Sequence, residues 1–154
     1  MASARPRTRW RQARASPGER WVVIYDGQCA FCSHSVQFIH ARDSFSQFWF
    51  APQGGEYARA VAAARPEIAG LDTVVLVDER DGRPERARVL SAAVLEISRR
   101  LGGFWWWLHL LRLVPRQLRD FVYRRIAANR RRLLHKRGPA CRVPTEAFRA
   151  RCLA

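Results

Sequence analysis

No apolar run in this 154-residue chain reaches the roughly 20 residues a helix needs to cross a bilayer, because the longest, Gly102–Val114, is closed by Pro115. A transmembrane span is not expected. Cysteines number only four, too few for a disulfide-built scaffold, and a chain of this length can bury a core without one. Acids are also scarce: 13 face 28 Lys and Arg, a formal net charge of +15. Such a surface attracts acidic partners, whether a membrane, a nucleic acid or a protein. Zinc-finger spacing, an RNA-recognition aromatic motif and a phosphate-binding glycine loop are all missing. Nucleic acid is therefore the least favoured of the three.

Apolar periodicity is lacking in residues 1–18, which carry Arg5, Arg7, Arg9, Arg11 and Arg14, two prolines and no acid. They read as a disordered basic arm. The apolar stretch of a secretory signal is absent from them, so export by that route is not expected and the predicted location is cytoplasmic, with peripheral membrane contact as an extension. An organelle transit peptide has similar Arg, Ser and Ala content.

What the chain does have is Cys29 and Cys32, three residues apart just after the apolar run Val22-Val23-Ile24-Tyr25. If a helix starts near Cys29, its sulfur meets unsatisfied N–H groups and the positive end of the helix dipole, which favour thiolate. Cys29 is then the attacking sulfur. Cys32 shares its helix face and acts as the resolving sulfur, displacing a mixed disulfide. A structural disulfide, half of a zinc site and two inert thiols are the alternatives. Asp26 has two readings as well: a proton acceptor for the resolving thiol if burial raises its pKa, or a turn former whose carboxylate satisfies loop N–H groups.

Around this pair the pattern alternates. Strands are predicted at Trp21–Tyr25, Gln47–Ala51, Thr73–Val77 and near Arg86–Val89, the last two joined by an Asp81-Gly82 turn. Helices are predicted at Cys29–Ala41, Glu56–Ala64 and Ser91–Leu101, with Ser91 as the cap of the third. The order is βαβαββα, an α/β chain that looks like a thioredoxin fold.

The motif Tyr25-Asp26-Gly27-x-Cys29-x-Phe31-Cys32, followed by Val36, Phe38, Arg42 and Asp43, resembles the DCC family of thiol-disulfide oxidoreductase-like proteins. Further matches are Leu101-Gly102-Gly103, Pro115-Arg116 with Arg119-Asp120, Tyr123-x-x-x-Ala127-x-Asn129-Arg130, Cys141 and Pro144. The likeness spans Trp21 to Leu153. It implies a thioredoxin-like domain with protein-disulfide reductase activity on poorly defined substrates. Thioredoxins place a cis-proline beside the CxxC to align substrate. The corresponding stretch here, Leu71-Asp72-Thr73-Val74, has no proline.

The second half is read as a helical extension. Three consecutive tryptophans, Trp105 to Trp107, point around the whole circumference of a helix, so at least one is expected to stay partly exposed. A helix packed on the core is the plainer reading; a docking surface for a membrane interface or a peptide is the other. A second helix is predicted from Arg116 to about His135, with Leu118, Val122, Ile126 and Leu133 on one face and Asn129, if buried there, needing a partner. Its arginine-rich end suits an anionic membrane surface. Cys141 and Cys152 in an irregular tail lack zinc-ribbon spacing, and His34, His40, His109 and His135 form no metal pattern.

The expected organisation is a basic arm (1–18), a thioredoxin-like core (19–102) and a helical extension with tail (103–154) on the same domain. The expected activity is thiol-disulfide exchange at Cys29 and Cys32 with Asp26, using no organic cofactor, a disulfide-containing protein or small thiol as substrate, and an unidentified electron donor. The competing class is a non-catalytic basic and aromatic module that recruits the chain to a membrane or protein.

Overall fold

The computed structural model describes residues 19–71, 73–134 and 145–153. The arm 1–18, Asp72, His135 and Cys141 lie outside the described residues, together with the expectations placed on them. The elements are β1 (Glu19–Tyr25), α1 (Ala30–Arg42), β2 (Phe48–Pro52), α2 (Glu56–Ala64), a 3₁₀ turn (Pro66–Ile68), β3 (Val75–Arg80), β4 (Arg83–Val89), α3 (Leu90–Leu101), a 3₁₀ helix (Gly103–Leu113), α4 (Arg116–Leu134) and α5 (Glu146–Arg149). One mixed sheet runs β2-β1-β3-β4, with β1 parallel to β2 and antiparallel to β3, and β3 antiparallel to β4. This is the βαβαββα order of a thioredoxin-like fold.

Trp21 to Ile24 form a continuous apolar run because both faces of β1 are covered. Alternation along the strand splits the core in two. Trp21 and Val23 face α1 and α3, packing with Val36, Ile39, Phe48, Phe50, Leu76 and Ile97. Val22 and Ile24 face α2, packing with Ala51, Ala58, Val61, Val75 and Val77. Between β3 and β4 the turn residues Asp81 and Gly82 both have positive φ, 50° and 75°, the requirement of the tight hairpin their sequence signals.

Three expectations are corrected. β3 begins at Val75 rather than Thr73 and continues through Asp78 and Glu79, both buried. Acidic residues are poor strand formers by propensity, but Glu79 is held by Arg20 across the strand pair and by the Tyr57 hydroxyl at 2.7 Å. Burial, reinforced by the Glu79 carboxylate, pushes the Tyr57 hydroxyl up, so it stays a donor. Second, Ser91 does not cap α3. The N-cap is Val89, and the Ser91 N–H and hydroxyl both donate to the carboxylate of Asp120 on α4, which thus caps α3 from another helix. Third, Leu118, Val122 and Ile126 of the α4 stripe face solvent: Leu118 is 54% exposed, whereas Asp120 is 8% exposed. Asn129 is exposed too and bonds locally to the Arg125 carbonyl at 2.9 Å.

The extension packs on the core mainly through α3. α3 ends at Gly102 and Gly103, both with positive φ, and the 3₁₀ helix turns back along α3. The tail is ordered over residues 145–153 rather than irregular. Thr145 caps α5, Phe148 stacks on Phe50 at 5.0 Å, and the Phe50 N–H and carbonyl bond to Arg151 and Leu153 beside β2. The Asp43 carboxylate anchors this piece by accepting from Arg151 at 2.9 Å and from the Gln47 and Phe48 N–H groups.

Burial opposes ionisation of Asp120, but donation from Ser91 and Arg116 outweighs it and holds the carboxyl below its ordinary range. A depressed folded value contributes stability that is present above the unfolded pKa and lost as pH falls through the folded one. Asp120→Ala is expected to cost about 2 kcal/mol in urea unfolding at neutral pH. That deficit should shrink as pH falls below about 4. A deficit independent of pH would show that the cap does not depend on charge.

Candidate redox site

The site forms where β1 runs out. Beyond Tyr25 the chain makes a short turn in which the Asp26 carbonyl accepts the Cys29 N–H at 3.2 Å and the Asp26 carboxylate accepts the Gln28 N–H at 2.9 Å. Of the two readings of Asp26, these bonds display the turn former. Cys29 is the N-cap of α1 with extended backbone, φ −89° and ψ 113°, and its carbonyl accepts the Ser33 N–H at 3.0 Å. The helix therefore starts one residue later than predicted. Cys29 is its cap rather than its first residue.

The two sulfurs differ in access. Cys29 is partly exposed, whereas Cys32, one turn into α1, is 2% exposed. No disulfide joins them. No acid lies in the first turn of α1, whose positive end faces Cys29, while the Asp26 carboxylate sits in the preceding turn. Phe31, between the two cysteines, is exposed and gives the site an apolar rim.

Pairing of Ile24 with Val75 brings the segment before β3 alongside the end of β1. No cis peptide occurs among the described residues of this segment. Side chains fix it instead. Gln53 Nε2 donates to the carbonyls of Leu71 and Thr73 at 3.1 and 2.9 Å, while the Gln53 N–H donates to the Tyr25 carbonyl at 2.9 Å. The buried Thr73 hydroxyl bonds to the Tyr123 hydroxyl of α4 at 2.9 Å. Gln53 was not singled out from sequence, because it belongs to no recognisable pattern, and Thr73 was read only as a strand start within the stretch that lacks a proline. Tyr123 was visible only through its place in the family motif.

Other candidates differ from the pair in their chemistry. Cys152 is partly buried, its thiol donates to the Phe148 carbonyl at 3.4 Å, and burial pushes its pKa up, all of which make it a poor nucleophile. Among the described residues no three His, Cys, Asp or Glu side chains converge as metal ligands.

A CxxC at the β1–α1 junction of this sheet defines a thioredoxin-like thiol-disulfide protein. The sequence comparisons narrow the class. The model of the DCC1-like thiol-disulfide oxidoreductase family matches residues 23–136. Uncharacterized protein YuxK of Bacillus subtilis (strain 168) is 30% identical over 137 residues, covering 86% of this chain and 93% of its own. No solved structure matches. The chain belongs to the DCC1-like thiol-disulfide oxidoreductase family.

Gln53→Ala is expected to cost about 1 kcal/mol and to speed amide exchange over residues 71–75, since two carbonyls lose their donor. Tyr123→Phe should give a smaller effect in the same segment. Unchanged exchange in both variants would show that the segment is held by its backbone alone.

Proposed function

We propose that this chain reduces disulfides of a protein or small-thiol substrate by a dithiol cycle at Cys29 and Cys32. The supporting observation is the difference in access between the two thiols on one helical turn. Only the outer sulfur meets a substrate first. The Cys29 thiolate attacks one substrate sulfur, the substrate S–S bond breaks, and the departing sulfur takes a proton as a mixed disulfide forms. Cys32 then gives up its proton and attacks the Cys29 sulfur, releasing the second substrate thiol. Two electrons pass to the substrate, leaving a Cys29–Cys32 disulfide. An external dithiol restores it.

Asp26 is assigned two parts: it shapes the turn that presents Cys29, and it accepts the Cys32 proton in the second step. The segment before β3, held by Gln53 and Tyr123, is assigned the docking of the substrate backbone. A non-catalytic recruiting module, the competing reading, leaves the paired thiols of a redox family without a use.

Cys32→Ser is expected to accumulate a mixed disulfide at Cys29 and to lose turnover by at least about 100-fold, whereas Cys29→Ser traps nothing. Sustained turnover by Cys29→Ser would overturn the assignment. Asp26→Asn retains an acceptor for the Gln28 N–H, so it should fold normally, form the mixed disulfide at the wild-type rate and release product more slowly. Equal release rates would confine Asp26 to the turn.

A further inference from the structure

The extension turns its apolar side chains outward. In a 3₁₀ helix, residues three apart eclipse one another, so Phe104, Trp107, Leu110 and Leu113 form a single row. Every member is exposed, from 48% at Trp107 to 87% at Leu113. The row through Trp105, Leu108, Leu111 and Val114 is turned toward the protein, and only Leu111 in it is exposed. Trp105 meets Phe38 of α1 edge-on at 4.9 Å, with the Arg42 guanidinium 3.7 Å from the Phe38 ring.

α4 repeats the inversion. Asp120 and Tyr123 are directed to the core, where they bond Ser91 and Thr73. Leu118, Phe121, Val122 and Ile126, recurring at helical spacing, are each about half exposed, from 48% to 54%.

Charge identifies what fits this surface. The two elements carry Arg112, Arg116, Arg119, Arg124, Arg125 and Arg130 to Arg132 against the single acid Asp120, which is buried and already bonded to Ser91 and Arg116. A second copy would set arginine against arginine, and residues 1–18 and 135–144 bring the same sign with no acid. Phe104, Trp107 and Phe121 offer rings, but Leu110, Leu113, Leu118, Val122 and Ile126 make up most of the surface and have no face to stack on nucleic-acid bases. An anionic bilayer answers both features: guanidinium groups meet headgroup phosphates, tryptophan suits the headgroup boundary, and aliphatic rows enter the acyl edge.

We propose that the outer face of the 3₁₀ helix and α4 docks this chain onto an anionic lipid surface. It lies on the bilayer without spanning it, and no described helix is long and apolar enough to cross one. The docking stands apart from the redox assignment, since none of its residues belongs to the thiol site.

The test uses the full reduced chain with vesicles of phosphatidylglycerol mixed into phosphatidylcholine, and of phosphatidylcholine alone. Co-sedimentation is expected only with the anionic vesicles, weakening with salt and accompanied by a blue shift of tryptophan emission. The double variant Leu110→Ser, Ile126→Ser changes two exposed positions and should weaken partitioning by about tenfold or more. Arg124→Gln with Arg125→Gln should weaken it as well, whereas Arg86→Gln on β4 should leave it near wild type. Absence of binding at low salt overturns the proposal. Equal binding by the Leu110, Ile126 variant also does, because adsorption would then be charge alone. A dimer broken by that variant, without vesicle binding, assigns the face to a second copy. Nucleic acid that vesicles cannot displace likewise overturns the lipid assignment.

Discussion

Two-sided burial of β1 is the constraint on which the rest depends. Trp21 and Val23 on one face and Val22 and Ile24 on the other must each be covered, so helices have to lie on both sides of the sheet. A parallel neighbour joined through α1 provides one cover, and α2 after β2 provides the other. That crossover leads the chain from the buried end of β1 directly into the N-terminus of α1. The cysteine pair lies where the apolar strand must end and a helix must begin.

Around that frame, buried carboxylates do the fastening. Glu79 binds Arg20 and Tyr57 on the α2 side; Asp43 holds the start of β2 and the Arg151 tail; Asp120 caps α3 from α4. In a chain so rich in arginine, these three acids are drawn into specific bonds, and an excess of positive charge remains. Much of that excess lies on the extension, beside apolar rows that none of the described residues covers. The Tyr123–Thr73 bond links the same extension to the segment flanking the thiols.

The fold was legible where one residue type dominates a stretch. β-branched runs marked β1 and the first half of β3, Glu56–Ala64 was read to its observed limits, and Asp81-Gly82 announced its hairpin. Reading failed where long-range partners override local preference. Strand pairing carries Asp78 and Glu79 into β3, and Asp120, distant in sequence, takes the capping role expected of Ser91. On α4 the apolar stripe suggested a buried face, because periodicity shows that a helix is two-sided but not which side faces inward. The cysteine pair was visible from spacing and context; the clamp of Gln53, Thr73 and Tyr123 was not, because it consists of single polar residues from separate elements.

The central claim is that the sulfurs of Cys29 and Cys32 exchange two electrons with a substrate disulfide. Peptide mapping of the alkylated protein after a single turnover tests it most directly. The account predicts one Cys29–Cys32 disulfide formed for each substrate disulfide reduced, with Cys152 still alkylated as a thiol. Substrate reduction with Cys29 and Cys32 left unpaired, or with the new bond running to another cysteine, would contradict it.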